Sequence, residues 1–122
     1  MKNLVVDLVA QELLKRGLSV ERSKSISGVS GVEHVFDVVG VKDGEVVLAV
    51  DCLEGLADQT SIVSLWLKLF DTEISKYVLV VAGEISSEAE RMIEELKIKV
   101  LSFSADDVDG FSRSFEELLE VL

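Results

Sequence analysis

Along residues 2–16 the apolar positions recur at helical spacing: Leu4, Val5, Leu8, Val9 and Leu13, with Glu12 inside the same stripe. Gly17 follows as a helix-ending residue, so a helix is predicted over 2–16. "LSVERSK" then alternates as a strand, and "SISGVSG" reads as a Ser- and Gly-rich loop. "HVFDVVGV" and "EVVLAVDCL" flank "KDG" as the two arms of a β-hairpin. Residues 59–70, "QTSIVSLWLKLF", are too long and too apolar for a surface strand and predict a helix extending towards Ile74. Its apolar residues wrap most of the circumference, which implies burial on two sides or a place at a subunit interface. "KYVLVVAG" has the unbroken apolar character of a central parallel strand. "SSEAERMIEELK" is a helix capped by Ser87 or Ser86, with Glu90 near its third position. "IKVLSF" is the next strand, and "FSRSFEELLEVL" the last helix.

The predicted order is α-β-β-β-α-β-α-β-α. No internal repeat or Pro-rich linker interrupts it, so residues 1–122 read as one mixed-sheet α/β domain with helices on both faces.

Composition narrows the setting. No segment approaches the roughly 18 uncharged apolar residues of a membrane span, and the first twenty residues are too charged for a secretory signal. A lone Cys52 allows no internal disulfide, and the expectation is a cytoplasmic protein in which Cys52 is a small buried hydrophobe. The net charge of −11 weighs against strong binding to a polyanion. It is uneven, however: residues 1–24 carry a balance of +2 and the remaining 98 a balance of −13. Any nucleic-acid surface is therefore expected near the end of the first helix and just beyond it, at Lys15, Arg16, Arg22 and Lys24. The flexible amides around Ser27 and Gly28 are a further contact for a phosphate backbone. Most of the acids read as a solubilising shell. Scarce Asn and Gln beside many Glu and Lys hint at a thermophile.

Two acids sit on the otherwise apolar hairpin strands, Asp37 and Asp51, and the turn between them decides whether they meet. A two-residue Asp43-Gly44 turn would oppose Asp37 to Val50 and send Asp51 to the other face. A three-residue Lys42-Asp43-Gly44 loop, with Gly44 in the left-handed position of a bulged hairpin, would oppose Asp37 to Ala49 and leave Asp51 diagonally beside it. Gly at the third loop place favours the bulged form, and a shared site is expected. The alternative is two acids at strand ends, near water.

Other chemistry is weaker. His34 falls on the opposite strand face from Asp37 and reads as a strand-edge histidine, and without Cys or His partners zinc is implausible. "SADDVDG" lacks EF-hand spacing, so its acids are charges at the start of the last helix. "SISGVSG" lacks the lysine of a phosphate-binding loop. Trp66 and Phe70 read as core or interface residues.

In this order and spacing the chain resembles the restriction-endonuclease-like superfamily of PD-(D/E)XK nucleases, in particular archaeal Holliday-junction resolvases and Mrr-like restriction enzymes. The resemblance rests on "QELLKRG", "SVERSK", "SISGVSG", "HVFDVVGVKDGEVVLAVDCL" and the helix-strand tail from Lys76 to Phe103. It implies a metal site, for Mg²⁺ or Mn²⁺, built from Asp37 and Asp51, with Glu12 as the helix acid beside them. The motif lysine, two residues after the second acid, is Leu53 here. In the family that cation orients the attacking water and offsets charge on the phosphate, and leucine does neither. Lys68 and Lys24 are the candidates for a displaced lysine, but Lys68 lies among Leu65, Trp66, Leu67, Leu69 and Phe70 and reads as a stem laid over apolar surface to reach water. The expectation is thus a nuclease-like, nucleic-acid-associated subunit that has lost catalysis. An active metal-dependent deoxyribonuclease with a displaced lysine is the alternative, and a protein assembly module a third. A homodimer through helix 59–70 is expected in any case.

Overall fold

A computed structural model describes residues 2–104 and 106–122. The apolar stripe after Lys2 winds into α1 (Lys2–Lys15), and Gly17 turns the chain with a positive φ of 81°. The alternating segments that follow become β1 (Ser19–Ser27), β2 (Glu33–Lys42) and β3 (Glu45–Ala57). Then come α2 (Gln59–Thr72), β4 (Tyr77–Ile85), α3 (Ser87–Leu96), β5 (Lys99–Phe103) and α4 (Val108–Glu120), which is the predicted order. Strand β1 runs three residues into the expected loop, and β3 continues four past Leu53. Helix α2 stops at Thr72, where Glu73 turns left-handed and its N–H caps the Leu69 carbonyl. Asp107 caps α4, so part of the acidic "SADDVDG" stretch serves a helix start.

The five strands lie in sequence order, with β1, β2 and β3 antiparallel and β3, β4 and β5 parallel. One face is covered by α1 and α4, whose Val5, Val9, Leu13, Phe111 and Phe115 pack on Val38, Val50, Val78 and Val80. The other is covered by α2 and α3, whose Ile62, Leu65 and Ala89 pack on Val39, Ala49, Leu79 and Val81. Strand β4 is buried from Tyr77 to Ala82 because it lies between both layers. Only Ile62 and Leu65 of α2 are buried, so the expectation of burial on two sides fails within the chain. Val63, Trp66, Leu67 and Phe70 face outward.

The hairpin departs from expectation in a way that matters for the acids. The turn is the two-residue form: Asp43 and Gly44 both have positive φ, 53° and 80°, and Lys42 pairs with Glu45. The three-residue loop is therefore not formed. The extra residue lies instead inside the ladder, where Val41 pairs with Val46 but Gly40 pairs with Leu48, leaving Val47 unmatched. Beyond this bulge Val38 pairs with Val50. Continuing that register by one step sets Asp37 opposite Asp51. A bulge at either place restores the same parity, which is why the acids meet although the turn differs.

A second irregularity lies at Asp37 itself. Phe36 packs in the α2 layer and Val38 in the α1 layer, although residues two apart share a face in a regular strand. On the neighbouring strand Ser23, bracketed by the pairs Arg22–Val38 and Lys24–Phe36, has a φ of 49°. Both strands turn over at this step, and Asp37 stands at the reversal. For the hairpin turn, Gly44→Ala should destabilise the protein by about 1 kcal/mol, since alanine resists positive φ. Asp43→Asn should be tolerated. Urea denaturation of both variants checks this.

Candidate metal-binding acid pair

Where the β2–β3 ladder ends, the two carboxylates replace its backbone bonds. Asp51 Oδ1 accepts the Asp37 backbone N–H at 3.0 Å, and Asp37 Oδ2 accepts the Cys52 N–H at 2.8 Å. Each acid thus holds the opposite strand, and both side chains open into a cavity of about 370 Å³ between the start of α1 and the inner side of α2. Asp51 faces the α2 layer, sharing parity with Ala49 and Leu53.

Lys68 does not reach outward to water. Its stem turns inward from α2, and Nζ donates to Asp51 Oδ2 at 2.5 Å and to the Val35 carbonyl at 2.6 Å. The ammonium also lies 4.1 Å from the centroid of the Phe36 ring. With side chains only 18% and 15% exposed, Lys68 and Asp51 form the most sheltered Lys–Asp pair among the described residues. The expected snorkelling lysine is thereby corrected: Ile62, Leu65 and Lys68 lie on one helical stripe, and the reach of the lysine carries its charge to the edge of the core rather than away from it. Lys24 does not join the site; its amine faces Glu21 at 3.5 Å.

Two further groups complete the pair. Lys2, on the first turn of α1, stands 3.3 Å from Asp37 Oδ1. Tyr77, at the start of β4, donates its hydroxyl to Asp51 Oδ2 at 3.0 Å. Burial, and then the nearby Asp51, push the Tyr77 hydroxyl well above its ordinary value, so it keeps the proton it donates. Burial, with Asp37 and Asp51 adding to it, also pushes the Cys52 thiol up to about 12. Cys52 is then a protonated wall residue, not a nucleophile. Neither Lys2 nor Tyr77 is apparent from the sequence, since the contacts arise from strand order and helix placement. Lys68 did leave a signal, its spacing of three from the buried Leu65, which the apolar residues around it mask.

Several expected site residues lie elsewhere. Glu12 is buried but bonded to Lys15 at 3.1 Å, near the C-terminal end of α1, whereas the N-terminal end of that helix meets Asp37. Ten residues of helix separate Glu12 from Lys2, about 15 Å, and no cluster of three or more acid, His or Cys groups able to hold a metal occurs among the described residues. Glu12 is therefore not a third acid of the pair. Lys15 and Arg16 stand at that same distant end. Arg22 pairs with Asp7 at 2.5 Å. Ser27 donates to Glu33 at 3.4 Å, and the Gly28 N–H bonds the Val32 carbonyl.

The 28–32 loop serves α2. Asp71 Oδ2 takes the Ser30 hydroxyl and His34 Nε2, each at 2.7 Å, and Oδ1 takes the Ser30 N–H at 3.0 Å. The Val29 N–H bonds the Asp71 carbonyl. Gly28 is needed here, because a Cβ would fall 1.9 Å from Asp71 Oδ2. His34 is thus a structural partner of Asp71, one residue from the carbonyl that receives Lys68, and the latch fixes α2 one turn beyond that lysine.

Hard carboxylate oxygens are what Mg²⁺ and Mn²⁺ prefer, and Mg²⁺ is commonly held by one or two carboxylates with water and substrate phosphate completing its shell. Asp37 and Asp51 fit that donor set without a third acid.

The architecture is that of a mixed-sheet α/β domain with an acid pair beside a lysine. Among solved structures the chain is similar to the protein of unknown function AF1548, with a TM-score of 0.67 and 20% identity over 84% of this chain, which shows a shared fold. A repair endonuclease from Pyrococcus abyssi also matches, with a TM-score of 0.49 and 18% identity over 84% of this chain. The chain spans 58% and 46% of those two solved chains. No protein-family model and no curated protein matches it.

The latch has a testable pH dependence. Bonds from Ser30, and then His34, hold the Asp71 carboxyl below its ordinary value of 3.8. Its stabilisation is present above that value and is lost as pH falls through the lowered one. The difference in melting temperature between the wild type and Asp71→Ala should shrink as pH falls below about pH 4.

Proposed function

We propose that the chain is the nuclease domain of a metal-dependent phosphodiesterase acting on nucleic acid, with its lysine supplied by α2 in place of Leu53. The observation that carries this reading is the Lys68 ammonium 2.5 Å from Asp51 Oδ2, on the wall of the cavity that both acids share. It favours the alternative of a displaced lysine over the expectation of lost catalysis, which rested on Leu53 and on reading Lys68 as a stem reaching for water.

A divalent cation held by Asp37 and Asp51 would supply Lewis acidity to the phosphoryl group and lower the pKa of water. The chain's own groups do the rest. Asp37 and Asp51 are oriented by the opposite strand's N–H groups, and their other oxygens, Asp37 Oδ1 and Asp51 Oδ2, face the Lys2, Lys68 and Tyr77 groups that line the cavity. Lys68 places a positive charge where a phosphate oxygen gains negative charge as water adds to phosphorus. Water supplies the new P–O bond, the ester P–O bond breaks, and a proton from that water ends on the departing alcohol. Leu53, Leu65 and Leu79 line the cavity and lower its dielectric, which strengthens each charge within it.

The net charge of −11, with Lys15, Arg22 and Lys24 each paired to an acid, supports weak, salt-sensitive association with DNA. Both charged residues of α2, Lys68 and Asp71, turn inward, so its outer face of Val63, Trp66, Leu67 and Phe70 carries no charge. On so acidic a chain, that face suits a second copy.

Purified protein with Mn²⁺ should cut DNA at low salt, and Asp37→Asn and Lys68→Ala should each lower the rate by about 100-fold or more. Absence of cleavage across duplex, branched and single-stranded substrates would return the reading to an inactive subunit. Sedimentation should show a dimer that Phe70→Glu dissociates; a wild-type monomer removes the proposed interface.

A further inference from the structure

Every oxygen of the acid pair is already engaged. Asp37 Oδ2 and Asp51 Oδ1 accept backbone N–H groups, and Asp37 Oδ1 faces Lys2 at 3.3 Å. Asp51 Oδ2 accepts both Lys68, at 2.5 Å, and Tyr77, at 3.0 Å. Two carboxylates are thus matched by two ammonium groups that approach from different helices, one across each acid. A site with no net charge attracts a divalent cation less than a bare acid pair does.

We propose that Lys2 and Lys68 are built-in counter-ions of the Asp37–Asp51 pair, and that divalent cation and lysine compete for the same carboxylate oxygens. The two lysines differ in what release involves. Lys2 is half-exposed and moves into water. Lys68 keeps the Val35 carbonyl at 2.6 Å and the Phe36 ring at 4.1 Å when it leaves Asp51, so it stays on the cavity wall. Tyr77 continues to hold Asp51 Oδ2 through the exchange. The coupling is reciprocal: a cation that loosens Lys68 is itself weakened by Lys68. Lysine therefore fills the site until metal arrives, and the ammonium becomes available to a phosphate only once the cation has displaced it. The inference rests on reading the acids as a cation site, and its sign is unusual, because deleting an active-site lysine should strengthen metal binding.

The test is Mn²⁺ affinity of the full chain, by calorimetry and by the Mn²⁺ electron paramagnetic resonance signal, without substrate. Lys68→Met should tighten Mn²⁺ about tenfold, and Lys2→Met, on an exposed helix start that leaves folding intact, about twofold to fivefold. Lys68→Arg, which keeps the charge, should stay near wild type. Asp37→Asn should abolish the binding in every background. Unchanged or weaker Mn²⁺ affinity in both methionine variants, with dependence on Asp37 retained, overturns the competition while leaving the cation site standing. Absence of Asp37-dependent binding in all variants overturns both.

Discussion

The site depends on one sheltered ion pair, Lys68 with Asp51. Taking both charges out of water is costly, and an unpaired partner would be left in a poor environment. The structure offsets this with further contacts on each side. Lys68 also meets the Val35 carbonyl and the Phe36 ring, and Asp51 also meets the Tyr77 hydroxyl and the Asp37 N–H. Those partners lie on β2 and β4, while Lys68 belongs to α2 and Asp51 to β3, so the pair reports that all four elements are in place. Asp71, with Ser30 and His34, pins α2 from the far side of Lys68.

The sheet supplies the second constraint, which is parity. Two residues on paired strands share a face only if the register permits it, and one extra residue changes the answer. The unmatched Val47 supplies that extra residue. The reversal at Asp37 and Ser23 then swings the edge of the sheet, so that an acid on β2 meets both Lys2 on α1 and its partner on β3. The strands carry backbone bonds up to this point, and carboxylates take over beyond it. Few surroundings would force two acids together in an acidic chain; here both are needed to close the ladder.

Element order, the mixed sheet and both apolar layers were legible because hydrophobic period survives any tertiary arrangement. The Asp37–Asp51 meeting was legible too, although through a loop that does not form. The turn type was not legible because Asp-Gly suits both forms, and a bulge inside a strand leaves no local mark beyond one exposed valine. The direction of Lys68 is hidden for a different reason. A lysine stem among leucines can point to either side, and only the packing of Ile62 and Leu65 decides which. Glu12 was misplaced because its distance from Asp37 follows from the direction of α1 across the sheet, which the helix's own sequence does not encode. The basic residues near Lys15 and Arg22 looked like a binding surface because sequence does not show that acids already partner them.

The most direct measurement of the central claim is side-chain nitrogen NMR of the lysine ammonium groups. The Lys68 ammonium should appear as a slowly exchanging signal, protected from water, that is lost in Asp51→Asn while the backbone spectrum stays folded. A Lys68 signal that exchanges as fast as those of the surface lysines, and ignores Asp51→Asn, would contradict the account.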